Sequence, residues 1–309
     1  LIKDLVRKNI SLRPYTTLRA GGPAEFFLEC HSADQLIEGC RHALELGQNL
    51  TIIGSGSNVL PSDRGVPGLV LLNSASKISV ARTGEVVAES GAWFQDVFLK
   101  AAQSGLAGLS FAVGIPGSIG GALVSNAGAY RSSVSDFVRE VEIVDRDGCR
   151  WVGKDWMEFS YRDSVFRDRG FQAAISRVHL FLPHGDRQEI YEAARDFQRQ
   201  RILKQPPSPS AGSFFKNVHN SDLAGHLPGL TQGMRESGVV PAGFLIEAAG
   251  LKGYRVGGAM LGHRHANFIL NVNHATASEI RAVAEKAKEA VLAQFGASLH
   301  EEVLYLGDW

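Results

Sequence analysis

The sequence predicts an α+β protein of more than one domain, and three features predict it. Helical and strand patterns are mixed along the 309 residues, a length that suits two or three domains at roughly 100–200 residues each. A hairpin is written into 138–152, and the prolines at 206, 207 and 209 cannot continue a helix and mark a boundary. No internal repeat is present.

Each element has its own local signal. Ser32 and Gln35 have capping-box spacing and open a helix with Leu36, Cys40, Ala43 and Leu44 on one face and Gly47 at its end. A short buried strand over 51–53 runs into a glycine-rich loop, and 69–72 and 86–90 read as further strands. Phe94, Val97, Phe98 and Ala101 give 93–103 helical spacing, stopped by Gly105. In 138–145 Val138, Glu140, Glu142 and Val144 alternate with Arg139, Val141, Ile143 and Asp145; Asp147-Gly148 turns the chain and 149–152 returns it. Asp186 and Glu189 form a second capping box, for a helix through about Arg201. Beyond the prolines lie a glycine-studded region, an amphipathic helix from Thr276 or Ser278 to Phe295 stopped by Gly296, and a strand over 302–306.

Composition narrows the function. The 32 basic residues balance 32 acidic ones, so there is no net basic surface for nucleic acid or anionic membrane, though a local basic pocket for a phosphorylated ligand remains open. Three widely spaced cysteines, Cys30, Cys40 and Cys149, form no CxxC pair. They fit a reducing cytoplasm rather than a disulfide framework, and Cys40 reads as a small core residue. No apolar run reaches the roughly 18 residues of a membrane span, and no signal-peptide pattern opens the chain at Leu1. His263 and His265 lack the spacing and acidic partners of a metal site, so no metal is expected.

Five segments carry candidate chemistry. Gly54, Ser55, Gly56, Ser57 and Asn58 follow a strand, where exposed N–H groups can cradle a pyrophosphate. Neither the dinucleotide fingerprint nor a Walker loop is present, and alone the loop reads equally as a tight turn. Gly114-Ile115-Pro116-Gly117-Ser118-Ile119-Gly120-Gly121, with Asn126, Gly128, Ala129 and Tyr130 after it, concentrates glycine at a large entropic cost. Close approach of backbone to a ligand justifies that cost, and two such loops fit one large phosphate-bearing cofactor. Arg162 stands in Tyr161-Arg162-Asp163-Ser164-Val165-Phe166, Lys204 before the prolines, and Ser213, Lys216 and Asn217 in Ser210-Ala211-Gly212-Ser213-Phe214-Phe215-Lys216-Asn217. Small neighbours leave the Ser213 hydroxyl accessible, the two lysines suit phosphate, and no Gly-x-Ser-x-Gly elbow marks a hydrolase. The fifth segment is His300-Glu301-Glu302-Val303.

Together, and in this order, these blocks resemble the UDP-N-acetylenolpyruvoylglucosamine reductase (UDP-N-acetylmuramate dehydrogenase) family. Thr16-Thr17 with Gly21-Gly22-Pro23-Ala24, the 242–253 run AGFLIEAAGLKG, Gly257-Gly258-Ala259 and His265-Ala266-Asn267-Phe268 complete the set, which spans nearly the whole chain. The resemblance implies an FAD-binding domain of the vanillyl-alcohol-oxidase type made of two subdomains, 1–67 and 68–205, and a C-terminal α+β substrate-binding domain, 206–309. It implies non-covalent FAD, with its pyrophosphate on Gly54–Asn58 and its isoalloxazine near Gly114, Pro116, Gly117, Ser118, Gly121, Asn126, Gly128, Ala129 and Tyr130. NADPH reduces the flavin, and UDP-N-acetylglucosamine enolpyruvate then takes hydride from flavin N5 at its methylene carbon, giving UDP-N-acetylmuramate for peptidoglycan synthesis.

Under the same resemblance, Arg162 stabilises the enolate, Ser213 donates the proton with Lys216 or a water in support, and Glu302, which directly precedes Val303, meets the substrate carboxylate. Lys204 and Asn217 contact the UDP moiety, with Lys216 and His265 beside them. Residues far apart in sequence must then converge near one flavin edge, and no obligate protein partner is implied. Val218 stands where the family commonly has proline, and 218–240 reads as an exposed loop or partial lid. The span from Tyr161 to Lys204 is too short for the tyrosine-bearing insertion of one family branch, which leaves open which side chain covers the substrate. The alternatives are another flavin oxidoreductase of the same superfamily, or a flavin- or nucleotide-sugar-binding protein without catalysis. The first gives the Ser213 and Glu302 blocks no purpose, and the second needs no proton donor.

Overall fold

A computed structural model describes residues 2–167 and 172–309. The chain divides into two compact units that are not contiguous in sequence. The first contains Leu1–Ser11, Pro23–Gly56 and Gly65–Leu203; the second contains Leu12–Gly22, Ser57–Arg64 and Lys204–Trp309. Helices and strands are mixed in both, as an α+β class requires. No helix among the described residues is long and apolar enough to cross a membrane.

Among the described residues the first unit holds two larger sheets and a two-stranded ribbon, Gly128–Ala129 with Ser132–Ser133. In the four-stranded sheet the order is Arg7–Ser11, Pro23–Cys30, Val66–Asn73, Leu50–Ile53. The first pair is antiparallel and the other two are parallel, so a crossover is needed, and helix Ala33–Glu45 provides it. Ser32 accepts from the Gln35 N–H, but the Gln35 side chain reaches the N–H of His31, one residue before the cap. Leu36, Cys40 and Ala43 pack on Leu28, Leu50, Leu69 and Leu71. A Cβ on Gly39 would stand 3.1 Å from the Leu71 side chain, so glycine sets how closely the helix approaches the sheet. Burial pushes the Cys30 thiol up to about 12 and that of Cys40 further up, which makes both inert core groups.

The second sheet is antiparallel throughout, in the order Gly148–Gly153, Val138–Asp145, Ala174–Phe181, Glu85–Glu89, Ile78–Val80. Its hairpin closes with Asp145 opposite Gly148, whose φ of 115° only glycine adopts readily. Arg150 grips both Asp145 oxygens at 2.7 Å, and that contact holds the carboxyl below the usual range. Helix Phe94–Gln103 packs Phe94, Val97, Phe98 and Ala101 into the core with Val86, Ala88, Val141 and Val178. Helix Arg187–Lys204 continues one turn beyond Arg201. Gln205 precedes Pro206, and the residue before a proline is pushed out of the helical region, so Lys204 is the last position available.

In the second unit a four-stranded antiparallel sheet runs Ser210–Ser213, Phe268–Asn271, Ala259–Leu261, Arg255–Val256. Helix Ala277–Phe295 buries Ile280, Val283, Ala284, Ala287 and Val291 in the core of this unit. Thr276 and Glu279 form its reciprocal capping box, and Gly296 ends it at φ 63°. The early segment Val59–Pro61 pairs in parallel with Leu304–Leu306. The terminal strand starts at Leu304 rather than 302, because the preceding residues hydrogen-bond to the 214–216 segment.

The expectation of an irregular loop over 218–240 is corrected, while most of the segment is exposed as expected. Val218–His219 pairs with Val239–Val240, enclosing helices Ser221–His226 and Gln232–Ser237. Asn220 and Thr231, which read as loop residues, are the N-caps of those helices. Ala224, Leu227 and Leu230 are buried in the core of the unit.

Asp63 adds a second cap to helix Ala277–Phe295, accepting from the N–H groups of Ala277 and Ser278 and from the Ser278 hydroxyl. Burial alone would raise its pKa; these hydrogen bonds and nearby Arg13 outweigh it and lower the pKa. A depressed carboxylate stabilises above its unfolded pKa, about 3.9, and that gain disappears as pH falls through the folded value. Asp63→Ala should therefore cost about 1 kcal/mol at pH 7, an ordinary cap reduced by solvent exposure. In denaturant titrations the gap from wild type should close below about pH 4.

Candidate active site

Within the first unit the two glycine loops meet. A Cβ on Gly54 would collide with Ser118 Oγ, so only glycine permits this contact. Ser118 caps the helix Ile119–Val124 by accepting from Gly121 N at 3.2 Å. The loop is pinned from below: Ile119 N donates to Ala92 O at 2.8 Å and Gly120 N to Ser90 O at 2.7 Å. Gly120 lies so close that a Cβ would stand 2.8 Å from that Ser90 oxygen. Gly114 and Gly117 take φ of 72° and 144°. Ser55 is half-buried and Pro116 exposed beside them.

The Arg162 block docks on the Asn126–Tyr130 block. Arg162 Nη2 donates to Gly128 O at 2.5 Å and Nη1 to Asn126 O at 3.4 Å. Asn126 Nδ2 donates to Ser160 O at 2.8 Å, and Ser164 Oγ to Val124 O at 2.7 Å. Asn126, Tyr130, Arg131 and Arg162 all adopt positive φ, from 41° to 65°. Non-glycine residues in that region store strain that the surrounding structure must hold. Tyr130 stacks on Phe197 at 3.9 Å, with Arg201 over its ring at 5.8 Å. Arg201 was not signalled by the sequence, where it reads as one charge among many on a helix. Its Nε is buried without a hydrogen bond among the described residues.

In the second unit Ser213 ends a strand opposite Phe268, after Gly212 at φ 76°. The next residues are clamped by Asn267: Phe214 N donates to its carbonyl at 2.7 Å, Phe215 N to its Oδ1 at 3.0 Å, and its Nδ2 donates to Phe215 O at 2.9 Å. Across this strand lies the turn bearing Glu302. Glu302 N donates to Phe214 O at 2.8 Å, Phe215 bridges to Glu301, and Lys216 N donates to His300 O at 2.8 Å. The structure thus brings Ser213 and Glu302 onto neighbouring hydrogen-bonded segments.

Asn58, expected on the cofactor loop with Ser57, lies in this unit and donates its Nδ2 to the Glu302 carbonyl at 3.1 Å. Lys288 holds Glu301 at 3.0 Å and Glu285 at 3.3 Å. Asn217 accepts from Ala242 N at 3.3 Å, and Lys204 is exposed. The roles of Asn267 and Lys288 as anchors were not signalled, since only long-range pairing reveals them.

His265 accepts from Asn267 N at Nδ1, which places the proton of the neutral ring on Nε2. Burial lowers its pKa, Lys204 and Lys252 lower it further, and Glu247 opposes them. A ring flanked by these lysines suits an anionic ligand.

Whether the first unit suits FAD is tested by the orphaned buried donor on Arg201, beside the second glycine loop, which fits an anionic cofactor. Gly54 and Gly120 are required by the protein's own packing, since a Cβ there would meet Ser118 Oγ and the Ser90 carbonyl. Gly54→Ala should reduce FAD retention roughly tenfold or more, equivalent to about 1.4 kcal/mol, as read by flavin fluorescence on dilution. The imidazole of His265 should remain neutral at pH 7 and titrate in NMR below the ordinary histidine value. Lys252→Met should move that titration upward.

Comparison with known proteins gives the family of the chain. A model of the FAD binding domain matches residues 24–152. A model of the UDP-N-acetylenolpyruvoylglucosamine reductase C-terminal domain matches 204–306. The chain is 36% identical over 308 residues to the UDP-N-acetylenolpyruvoylglucosamine reductase of Synechococcus sp. (strain JA-3-3Ab), covering 98% of this chain and 92% of that one. It is 37% identical over 299 residues to the protein of the same name in Pediococcus pentosaceus, covering 96% and 93%. The crystal structure of UDP-N-acetylenolpyruvylglucosamine reductase from Thermus caldophilus matches with a TM-score of 0.77 at 28% identity, over 97% of this chain and 99% of that one. With relatives this similar over nearly its full length, the chain belongs to the UDP-N-acetylenolpyruvoylglucosamine reductase family.

Proposed function

We propose that this chain reduces UDP-N-acetylglucosamine enolpyruvate to UDP-N-acetylmuramate for peptidoglycan synthesis, with FAD as cofactor and NADPH as reductant. Family membership carries the reaction. For the residues, the observation that carries the reading is the pairing of the Ser213 strand with the Glu302 turn. Bound FAD supplies hydride, taken from NADPH and delivered from N5 to the methylene carbon of the enolpyruvyl group.

Hydride addition builds negative charge on the substrate, spread over the carboxylate as an enolate. Arg162, held by the Asn126 and Gly128 carbonyls, offers a guanidinium fork to that charge. Backbone hydrogen bonds fix its orientation in advance. Glu302 serves the same carboxylate, protonated or as a hydrogen-bond relay. Ser213 delivers the proton to the carbon next to the carboxylate. A hydroxyl is a weak acid, so the transfer draws on support from Lys216 or an ordered water. Lys204, Asn217 and His265 hold the UDP moiety. Gly54–Asn58 and Gly114–Gly121 hold the flavin.

Anaerobic stopped-flow absorbance tests this. Ser213→Ala should leave flavin reduction by NADPH nearly intact and slow reoxidation by the enolpyruvyl substrate by roughly 10²–10⁴-fold. Equal slowing of both half-reactions would remove Ser213 from the proton-donor role. A wild-type flavin that NADPH reduces but this substrate does not reoxidise would move the function to another flavin oxidoreductase.

A further inference from the structure

Arg201 has no part in the steps above, yet its surroundings are costly. Its stem lies along the second glycine loop, where a Cβ on Gly114 would stand 3.0 Å from Arg201 Cδ. Nη2 donates to Phe111 O at 3.2 Å, and the guanidinium sits over the Tyr130 ring. Among the described residues, Nε is buried without a hydrogen bond. The ionisable groups acting on it there are Tyr130 and a second cation, Arg162, with no carboxylate among them. A desolvated guanidinium facing a like charge is unfavourable unless an anion compensates it. Tyr130, which stacks under it, is itself held at a strained φ of 55°. These costs fit a site completed by a negatively charged ligand.

We propose that Arg201 is the fixed cation that stabilises the negative charge of the reduced flavin. The inference rests on the flavin reading above. Hydride uptake brings two electrons and one proton to the ring at N5 and leaves one negative charge shared by N1 and the C2 carbonyl. Arg201 donates no proton, since a guanidinium stays protonated; it supplies hydrogen bonds and charge. Its contacts come from Phe111, Gly114 and Tyr130, of which Gly114 and Tyr130 belong to the stretch the family resemblance assigns to the isoalloxazine. The added negative charge also relieves the repulsion between Arg201 and Arg162. Arg201 thereby biases electrons toward the flavin before any substrate arrives.

The test uses the purified holoprotein with Arg201→Met and Arg201→Lys. The flavin midpoint potential is measured anaerobically against a reference dye, with neither NADPH nor sugar nucleotide present. Affinity for oxidised FAD is measured in parallel by fluorescence. Arg201→Met should weaken binding of reduced flavin more than of oxidised FAD, lowering the potential by at least about 30 mV, a tenfold change in a two-electron equilibrium. Arg201→Lys should lie between the two, and carries the test alone if the Met variant does not fold. An unchanged potential with weakened FAD binding would make Arg201 a pyrophosphate contact; unchanged potential and affinity would make it structural. Either result overturns the proposal and leaves the reductase reading intact. A wild-type protein that binds no flavin would remove that reading itself.

Discussion

The second unit depends on a pairing between distant ends of the chain. Val59–Pro61 lies parallel to Leu304–Leu306, and the residues just before each strand are joined as well. Asn58 Nδ2 reaches the Glu302 carbonyl, while Leu304 N donates to Asn58 O at 3.0 Å. Through Glu302 the linkage continues to Phe214 and then to Asn267. Four segments are thereby locked edge to edge by main-chain groups and two asparagine side chains. Main-chain hydrogen bonds in a buried setting are costly to leave unmade, so the turn carrying Glu302 has little freedom to drift from the strand carrying Ser213.

The first unit follows a different principle, in which absence of side chains is the structural device. Gly54 and Gly120 bring backbone within reach of Ser118 and Ser90, and the adjoining residues accept strained dihedrals to present their groups. The energy stored there is supplied by an ordinary core. The apolar faces of helices Ala33–Glu45 and Phe94–Gln103 pack against their two sheets. Strain at Asn126, Tyr130 and Arg162 is tolerable because that packing over-determines the backbone around it.

What the sequence disclosed was local. The hairpin at Val138–Asp145 was legible because alternation and an Asp-Gly turn lie within a few residues of each other. The last long helix was legible because Thr276 and Glu279 belong to one cap, three residues apart. The 218–240 segment misled because Asn220, Thr231 and Gly238 have loop composition, and only the folded chain shows them serving as helix caps. Candidate residues such as Ser213 and Glu302 stood out as motifs, but their adjacency depends on pairing across the length of the chain. Arg201 was invisible, because burial and an absent counter-charge are properties of the folded neighbourhood.

The interleaved order of the two units has a bearing on biosynthesis. Residues Leu12–Gly22 and Ser57–Arg64 leave the ribosome early, but the rest of their unit begins only at Lys204. The pairing of Val59–Pro61 needs Leu304–Leu306, nearly the last residues translated. Gly22 N and Ser62 O join these early segments to each other, but at about 5–20 residues per second Val59–Pro61 waits many seconds for its strand partner. A first unit that closes before then does so with both segments looped out, joined only to each other. Such long-range closure is slow, and the waiting apolar residues Leu18 and Leu60 are what a chaperone would bind.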